Sequence, residues 1–125
     1  MRVVRRGAAW THLVLAAAIG VAVFVQVYLI RAYIFGAGQG AQDAHTTAGF
    51  TVHGLEVLLL VAALVAWLPP TDLLLSLLLA VLGTVQIALA GEHRWTGALH
   101  PLGALFVLVL AALLGRRAWP RLRPA

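Results

Sequence analysis

Four long apolar segments, separated by short polar or proline-containing stretches, make up most of this sequence. They cover roughly residues 8–30, 45–68, 72–90 and 96–114. Each is close to the length of about 20 mostly apolar residues that a helix needs to cross the hydrocarbon core of a bilayer. Because backbone groups in hydrocarbon must be hydrogen-bonded within their own segment, the pattern predicts four transmembrane helices.

Three breaks connect these segments. The first, residues 36–43 (GAGQGAQD), has the glycines and polar side chains of a flexible loop. The second, residues 69–72 (PPTD), is typical of a tight turn whose threonine or aspartate caps the third helix. The third, residues 91–94 (GEHR), is another short turn. Connections this short place consecutive helices antiparallel, so we predict one all-α domain over residues 1–125, an up-down-up-down four-helix membrane bundle.

The overall composition agrees with this class of protein. Of the 125 residues, 62% are hydrophobic and 10% are charged, and the mean hydropathy is +0.97. A soluble domain of this length leaves too much surface in water to hide so many apolar side chains, and a disordered chain is far more polar. The absence of cysteine excludes disulfide frameworks, iron–sulfur clusters and thiolate zinc sites.

The positive charge is concentrated at the two ends of the chain. The net charge is +5, and seven of the nine arginines flank the apolar segments: residues 2, 5, 6, 116, 117, 121 and 123. We interpret this charge as a topology signal and predict no nucleic-acid partner. An even number of crossings puts both termini on one side, which the positive-inside rule makes the cytoplasmic side of a bacterial inner membrane. The first apolar segment is longer than the core of about 7–15 residues in a signal peptide, so we expect it to be retained.

The two halves of the sequence resemble each other. Residues 25–29 (VQVYL) end the first apolar segment, and residues 85–89 (VQIAL) end the third. A turn follows each, and then a histidine early in the next segment, His45 or His100, with a glycine three or four positions later. The repeat predicts two similar helical hairpins that place the glutamine pair and the histidine pair each at a matched depth.

His45 and His100 are the first candidates for a functional site, because ionisable groups inside a membrane are costly. They are predicted at the outer side of the second and fourth helices, which can lie diagonally opposite in such a bundle. Two neutral imidazoles facing each other at one depth suit axial ligation of the iron of a b-type haem. Arg31 and Arg94 lie on the same side and could pair with the haem propionates. The alternative is that both histidines contact lipid head groups or neighbouring helices.

A second polar pair lies deeper in the second apolar segment. His53 is eight residues beyond His45, about 12 Å along a helix, and shares a helix face with Glu56 at i+3. The pair suggests a proton relay or a quinone-binding site near mid-membrane, and the alternative is a packing hydrogen bond. His53 is also the alternative to His45 as the iron ligand on the second helix.

The other polar side chains are assigned supporting roles. Gln26 and Gln86 fall in the outer half of the first and third helices, where they could hydrogen-bond the cofactor edge or the ligating imidazoles. Their alternative role is to hold helices together. His12 lies near the inner interface, where we expect a head-group contact, and His93 lies in a turn, where we expect contact with water.

Two resemblances bear on this interpretation. Residues 85–89, followed by a turn and then residues 98–105 (ALHPLGAL), resemble one half of the haem A synthase bundle, and residues 52–55 (VHGL) resemble its ligand helix. That family has iron-ligating histidines on the second and fourth helices of a four-helix unit. The resemblance implies His100 and His53 as ligands, whereas the internal repeat favours His45. The chain departs from haem A synthase in being half its size and in lacking both its cysteine pair and the carboxylate just before the ligand histidine.

The whole chain is also similar to a family of small four-helix bacterial membrane proteins that has no established activity. The similarity lies in a glutamine late in the first helix, an H-x-x-x-G at the start of the second (His45, Gly49), and a glutamine followed by L-H-P in the second half (Gln86, residues 99–101). It covers nearly the full length.

From these observations we expect a bis-histidine, b-type haem-binding membrane protein that acts in electron transfer or as a haem-bearing subunit of a membrane complex. An electron carrier or accessory subunit is favoured over a complete enzyme. A protein partner or a homo-oligomer is expected in the bilayer, with quinone as a further possible partner. The alternatives are a haem-free structural or accessory subunit, and a small proton-coupled transporter that uses His53 and Glu56.

Overall fold

The computed structural model describes residues 2–91 and 94–122, and this part of the chain is almost entirely helical. The helices are α1 (Arg2–Ile34), α2 (Gln39–Ala66), α3 (Pro70–Ala90), α4 (Arg94–Gly97) and α5 (Leu99–Leu122). The described residues contain no strand, which confirms the predicted all-α class. Four segments are long and apolar enough to cross a membrane: Arg2–Ile34, Gln39–Ala66, Pro70–Ala90 and Trp95–Leu122.

The first connection is shorter than the predicted loop of residues 36–43. Gly36 and Gly38 have φ angles of 91° and 85°, values that side-chain-bearing residues rarely adopt, and these two glycines make the turn. Helix α2 already begins at Gln39. The amide Nε2 of Gln39 donates to the Asp43 carboxylate at 3.1 Å, an i,i+4 contact that supports the exposed first turn. The prediction of a loop through Asp43 was therefore wrong.

The second connection also differs from the sequence-based expectation. Pro69 occupies the N-cap position of α3 and Pro70 is the first helical residue, where a missing N–H costs nothing. The cap position makes no side-chain hydrogen bond, so neither Thr71 nor Asp72 caps the helix as predicted. The Asp72 side chain is buried and binds arginines of α5 instead.

The long helices pack in a closed series of neighbours. Helix α1 contacts α2 and α5, and α3 contacts the same two helices. Contacts between Arg5 and Ala66 at one end, and between Gln26 and His45 at the other, show that α1 and α2 run antiparallel. One fully buried large side chain from each long helix forms the centre of the core: Ile19, Leu59, Leu79 and Leu114.

Helix α5 continues beyond the predicted end of the fourth apolar segment at residue 114. It reaches Leu122, so Arg117 and Arg121 stand on a helix, one turn apart, and not in a tail. This extension brings both arginines onto Asp72.

Candidate functional site

The structure brings together the two histidines that the internal repeat relates. His45 stands in the second turn of α2 and His100 in the first turn of α5, on helices that do not pack directly against each other. Their imidazole rings nevertheless meet, with centroids 6.2 Å apart and ring planes at 77°. Both residues are half-buried.

The same backbone contact orients each ring. The Nδ1–H of His45 donates to the carbonyl oxygen of Gln26 at 3.0 Å, and the Nδ1–H of His100 donates to the carbonyl oxygen of Gln86 at 3.0 Å. A carbonyl oxygen can only accept, so Nδ1 carries the proton in each neutral ring and Nε2 keeps its lone pair. This is the arrangement that prepares imidazole as a metal ligand through Nε2.

The glutamine side chains occupy spaces left by the two glycines of the repeat. A Cβ built on Gly49 would stand 3.1 Å from Nε2 of Gln26, and a Cβ built on Gly103 would overlap the amide of Gln86. The Nε2 of Gln86 also donates to the carbonyl oxygen of His100 at 2.8 Å. The predicted contact between the glutamines and the imidazoles thus runs through the glutamine backbone, while their side chains fill the glycine gaps.

Two buried polar atoms beside the histidine pair lack a protein partner. They are the Oε1 atoms of Gln26 and Gln86, which make no hydrogen bond in the described structure. A groove of about 440 Å³ also opens between α1 and α2, with Ala44 and Ala48 in its wall, but neither the two histidines nor the two glutamines line it.

Of the two arginines predicted to pair with haem propionates, the structure describes the side chain of Arg31 and not that of Arg94. Arg31 is exposed near the end of α1, with its guanidinium carbon 4.7 Å from the centre of the Phe35 ring. Arg94 begins α4, but its side chain lies outside the described part of the structure. His93, predicted in a turn, also lies outside the described residues. A role of either arginine toward propionates stays a prediction.

His53 and Glu56 form the pair that their spacing predicts. The Nδ1 of His53 lies 3.2 Å from Oε2 of Glu56, and the exposed fractions of the two side chains are 24% and 1%. The Glu56 carboxylate lies directly against Gly83 of α3, in a space that any larger residue there would occupy. Of the two candidates on α2, it is thus His45 that meets His100, and His53 is held by Glu56.

A polar cluster at the opposite end of the helices was missed by the sequence interpretation. His12 is 1% exposed, and its Nε2 lies 3.1 Å from the hydroxyl of Ser76. That hydroxyl donates to the carbonyl oxygen of Asp72 at 2.7 Å. The carboxylate of Asp72 accepts from Nε of Arg117 and from Arg121. The burial of His12 against Ser76 was not predicted, and a head-group contact for His12 stays a prediction. The i,i+4 spacings of 72 with 76 and of 117 with 121 were the available signal for the cluster.

Comparisons with known proteins add no assignment. No protein-family model, curated protein or solved structure matches the chain. Within the described residues, no group of three or more His, Cys, Asp or Glu side chains is placed to hold a metal ion. The function must therefore be argued from the histidine pair and its surroundings.

Proposed function

We propose that the chain is an integral membrane protein of the bacterial cytoplasmic membrane, an up-down-up-down four-helix bundle of two similar hairpins with both termini in the cytoplasm. The four long apolar helices support this proposal. So do the many large apolar side chains on the outer faces of the helices, among them Val21, Phe24, Leu58, Leu74 and Phe106. A continuous apolar exterior of this kind is unfavourable in water and suits lipid.

We further propose that His45 and His100 would hold the iron of a b-type haem through their Nε2 atoms. Their ring centroids are 6.2 Å apart, a separation compatible with imidazole–metal bonds of about 2.0–2.1 Å to one shared metal. The matching Nδ1 contacts leave both Nε2 lone pairs free. The meeting of two rings prepared in this way is the observation that carries the proposal.

The surrounding residues have defined tasks in this proposal. The carbonyl oxygens of Gln26 and Gln86 hold the imidazoles in one tautomer and one orientation, which strengthens Nε2 as a ligand. Gly49 and Gly103 give the glutamine side chains the room to pack beside the ligands. A haem held here would supply one-electron exchange at its iron.

The proposed activity is electron transfer, or service as a haem-bearing subunit in a larger membrane complex. Nearly all of the described chain belongs to the four long apolar segments, so an electron donor or acceptor would be a separate protein partner or a membrane-soluble quinone. In this role the chain is an electron carrier and not a complete enzyme. Arg31 and Arg94 remain the proposed partners of the propionates.

A visible spectrum of the purified protein tests the proposal. The protein would be expressed with haem supplementation, extracted in mild detergent, and measured before and after dithionite reduction. We expect a Soret band, with sharp α and β bands in the reduced state. A colourless preparation whose haem content stays at background would refute the haem proposal and leave the haem-free accessory subunit.

Two matched variants test the assignment of the ligand on α2. His45→Ala should remove the low-spin spectrum, because it deletes one of the two ligands. His53→Ala serves as the control at the same residue type and on the same helix, and it should keep the low-spin spectrum. The opposite result would exchange the roles of the two histidines and contradict the geometry of the pair.

A second candidate function is favoured by the His53–Glu56 pair. A carboxylate that is 1% exposed and bonded to a partly exposed imidazole is suited to exchange a proton within the membrane. We propose this pair as a proton relay, either within the haem protein or in a small proton-coupled transporter. Proton flux into liposomes containing the protein should fall in Glu56→Gln and persist in Asp43→Asn, a carboxylate change on the exposed start of α2. Equal fluxes in both variants would exclude the relay.

A further inference from the structure

The end of the bundle where α1 begins and α5 ends contains a cavity remote from the histidine pair. Its volume is about 250 Å³. Its polar lining comes from Arg5, Arg6, His12 and Arg121, and the rest of its wall is apolar. A cavity needs only about 10–15 Å³ of such volume to hold one water molecule, so about 250 Å³ is enough for a small polar head group.

The arginines around this cavity keep unused donor groups. Arg5 donates from Nε to the carbonyl oxygen of Ala66 at 3.4 Å, and Arg121 donates from Nη1 to Asp72. Each of these contacts uses one of the five N–H donors of a guanidinium. Arg6 is exposed at the rim of the cavity. Three arginines therefore line one cavity, and the guanidinium carbon of Arg5 also lies 5.2 Å from the centre of the Trp67 ring.

The carboxylate nearest to this cavity, that of Asp72, is already paired with arginines. Asp72 binds two arginines, Arg117 and Arg121, through its two carboxylate oxygens. One carboxylate cannot also neutralise Arg5 and Arg6, so the cavity as a whole favours an anion.

His12 adds a requirement of a different kind. The hydroxyl proton of Ser76 is donated to the carbonyl oxygen of Asp72, so the contact between His12 and Ser76 uses an N–H of the imidazole, at Nε2. The other ring nitrogen, Nδ1, then holds a lone pair. This atom is buried and has no hydrogen-bond partner in the described structure. A ligand that satisfies it must bring a donor, such as a hydroxyl group.

We propose that this cavity binds the head group of an anionic glycerophospholipid whose alcohol carries a free hydroxyl, as in phosphatidylglycerol. The phosphate contacts Arg5, Arg6 and Arg121, and a head-group hydroxyl donates to Nδ1 of His12. The apolar part of the wall receives the beginning of the acyl chains. Basic pockets between membrane helices on the cytoplasmic side are suited to such lipids. The proposal rests on the membrane location proposed above and is independent of haem.

Lipid binding can be measured by native mass spectrometry of the detergent-extracted protein. Phosphatidylglycerol would be compared with phosphatidylmethanol, which has the same charge and no hydroxyl, and with zwitterionic phosphatidylcholine. We expect phosphatidylglycerol to bind about three- to tenfold more tightly than phosphatidylmethanol, the effect of one hydrogen bond. Phosphatidylcholine should bind more weakly than both. Equal binding of the two anionic lipids would overturn the contact to His12.

A pair of charge-matched variants separates the cavity from general attraction to a basic surface. Arg6→Gln removes a cation at the cavity rim and should weaken phosphatidylglycerol binding about fivefold. Arg116→Gln removes the same charge from an exposed position at the same end, outside the cavity, and should have a smaller effect. Equal losses in both variants would overturn the cavity as the binding site.

Inorganic phosphate distinguishes the two sources of a phosphate group. Added at the lipid concentration, it should leave phosphatidylglycerol binding unchanged, and effective competition would assign the cavity to free phosphate and overturn the lipid proposal. The membrane and lipid proposals fail in different ways. A protein recovered from the aqueous fraction without detergent contradicts the membrane location. A protein that needs detergent and has no preference among lipids contradicts only the head-group site.

Discussion

Replacement of Gly103 by alanine directly perturbs the packing beneath the histidine pair. A Cβ at this position would stand 2.6 Å from Cδ and 3.0 Å from Nε2 of Gln86. Real Cβ atoms do not approach other atoms closer than about 3 Å, so the Gln86 side chain must move. That movement breaks its 2.8 Å hydrogen bond to the carbonyl oxygen of His100.

The size of the effect follows from three contributions. Overpacking of a close contact costs about 1–3 kcal/mol, and loss of the hydrogen bond costs about 0.5–1.5 kcal/mol. Alanine in place of glycine within a helix stabilises the folded state by about 0.5–1 kcal/mol, which offsets part of this loss. The free energy of unfolding should therefore fall by about 2 kcal/mol in Gly103→Ala.

Two other glycines provide a graded series for the same measurement. Gly115 lies on the same helix, and a Cβ there meets no atom within 4 Å, so Gly115→Ala should be neutral or slightly stabilising. Gly49 is the symmetry-related position, where a Cβ would be 3.1 Å from Nε2 of Gln26, a contact that a small shift relieves. The free energy of unfolding of Gly49→Ala should therefore lie between those of Gly103→Ala and Gly115→Ala.

Unfolding in mixed micelles, followed by circular dichroism during titration with a denaturing detergent, gives the required free energies. From the most to the least stable variant, the expected order is Gly115→Ala, Gly49→Ala and Gly103→Ala. A Gly103→Ala protein as stable as Gly115→Ala would show that Gln86 does not occupy the glycine gap. The proposed alignment of His100 by its neighbours would then lose its structural basis.

Two further stability predictions concern the buried carboxylates, and the same titration measures both. Asp72→Asn should lower the free energy of unfolding by about 1–3 kcal/mol. This is less than the full cost of breaking a buried ion pair, because the arginine partners are one-third exposed. Asp43→Asn, on the exposed start of α2, should change the free energy of unfolding little, and equal effects of the two substitutions would contradict a buried role for Asp72. Gly83→Ala should lower the free energy of unfolding by a similar amount, because the added Cβ would displace the Glu56 carboxylate. Gly54→Ala is the control, since a Cβ at Gly54 meets no atom within 4 Å. A stable Gly83→Ala protein would mean that the carboxylate has another place to lie.

The two halves of the candidate site show how far sequence reasoning can go. The shared pattern of glutamine, histidine and glycine predicts that His45 and His100 lie at one depth, and the structure places their rings 6.2 Å apart. The spacing of His53 and Glu56 also predicts their contact, because residues three apart share a helix face. Contacts within a helix or across a repeat can be derived from spacing alone.

The choice between His45 and His53 could not be made in that way. Both residues are on α2, eight positions apart, which is about 12 Å along the axis. Which of them meets His100 depends on how far α2 and α5 are displaced along each other, and no local pattern encodes that displacement. The structure pairs His45 with His100 because each donates Nδ1–H to the carbonyl of a glutamine on the preceding hairpin helix.

The sequence by itself determined the helical class of this protein and the approximate centres of its four long helices, because hydropathy reports the length of chain that suits hydrocarbon. It did not determine where those helices end. Helices α2 and α5 continue through polar residues, because backbone hydrogen bonds and i,i+4 side-chain contacts sustain a helix outside an apolar stretch. Only the tertiary structure decided that Asp72 pairs with the arginines of α5 and that His12 is buried against Ser76. Those contacts join side chains 45 or more positions apart, and packing alone brings such distant groups together.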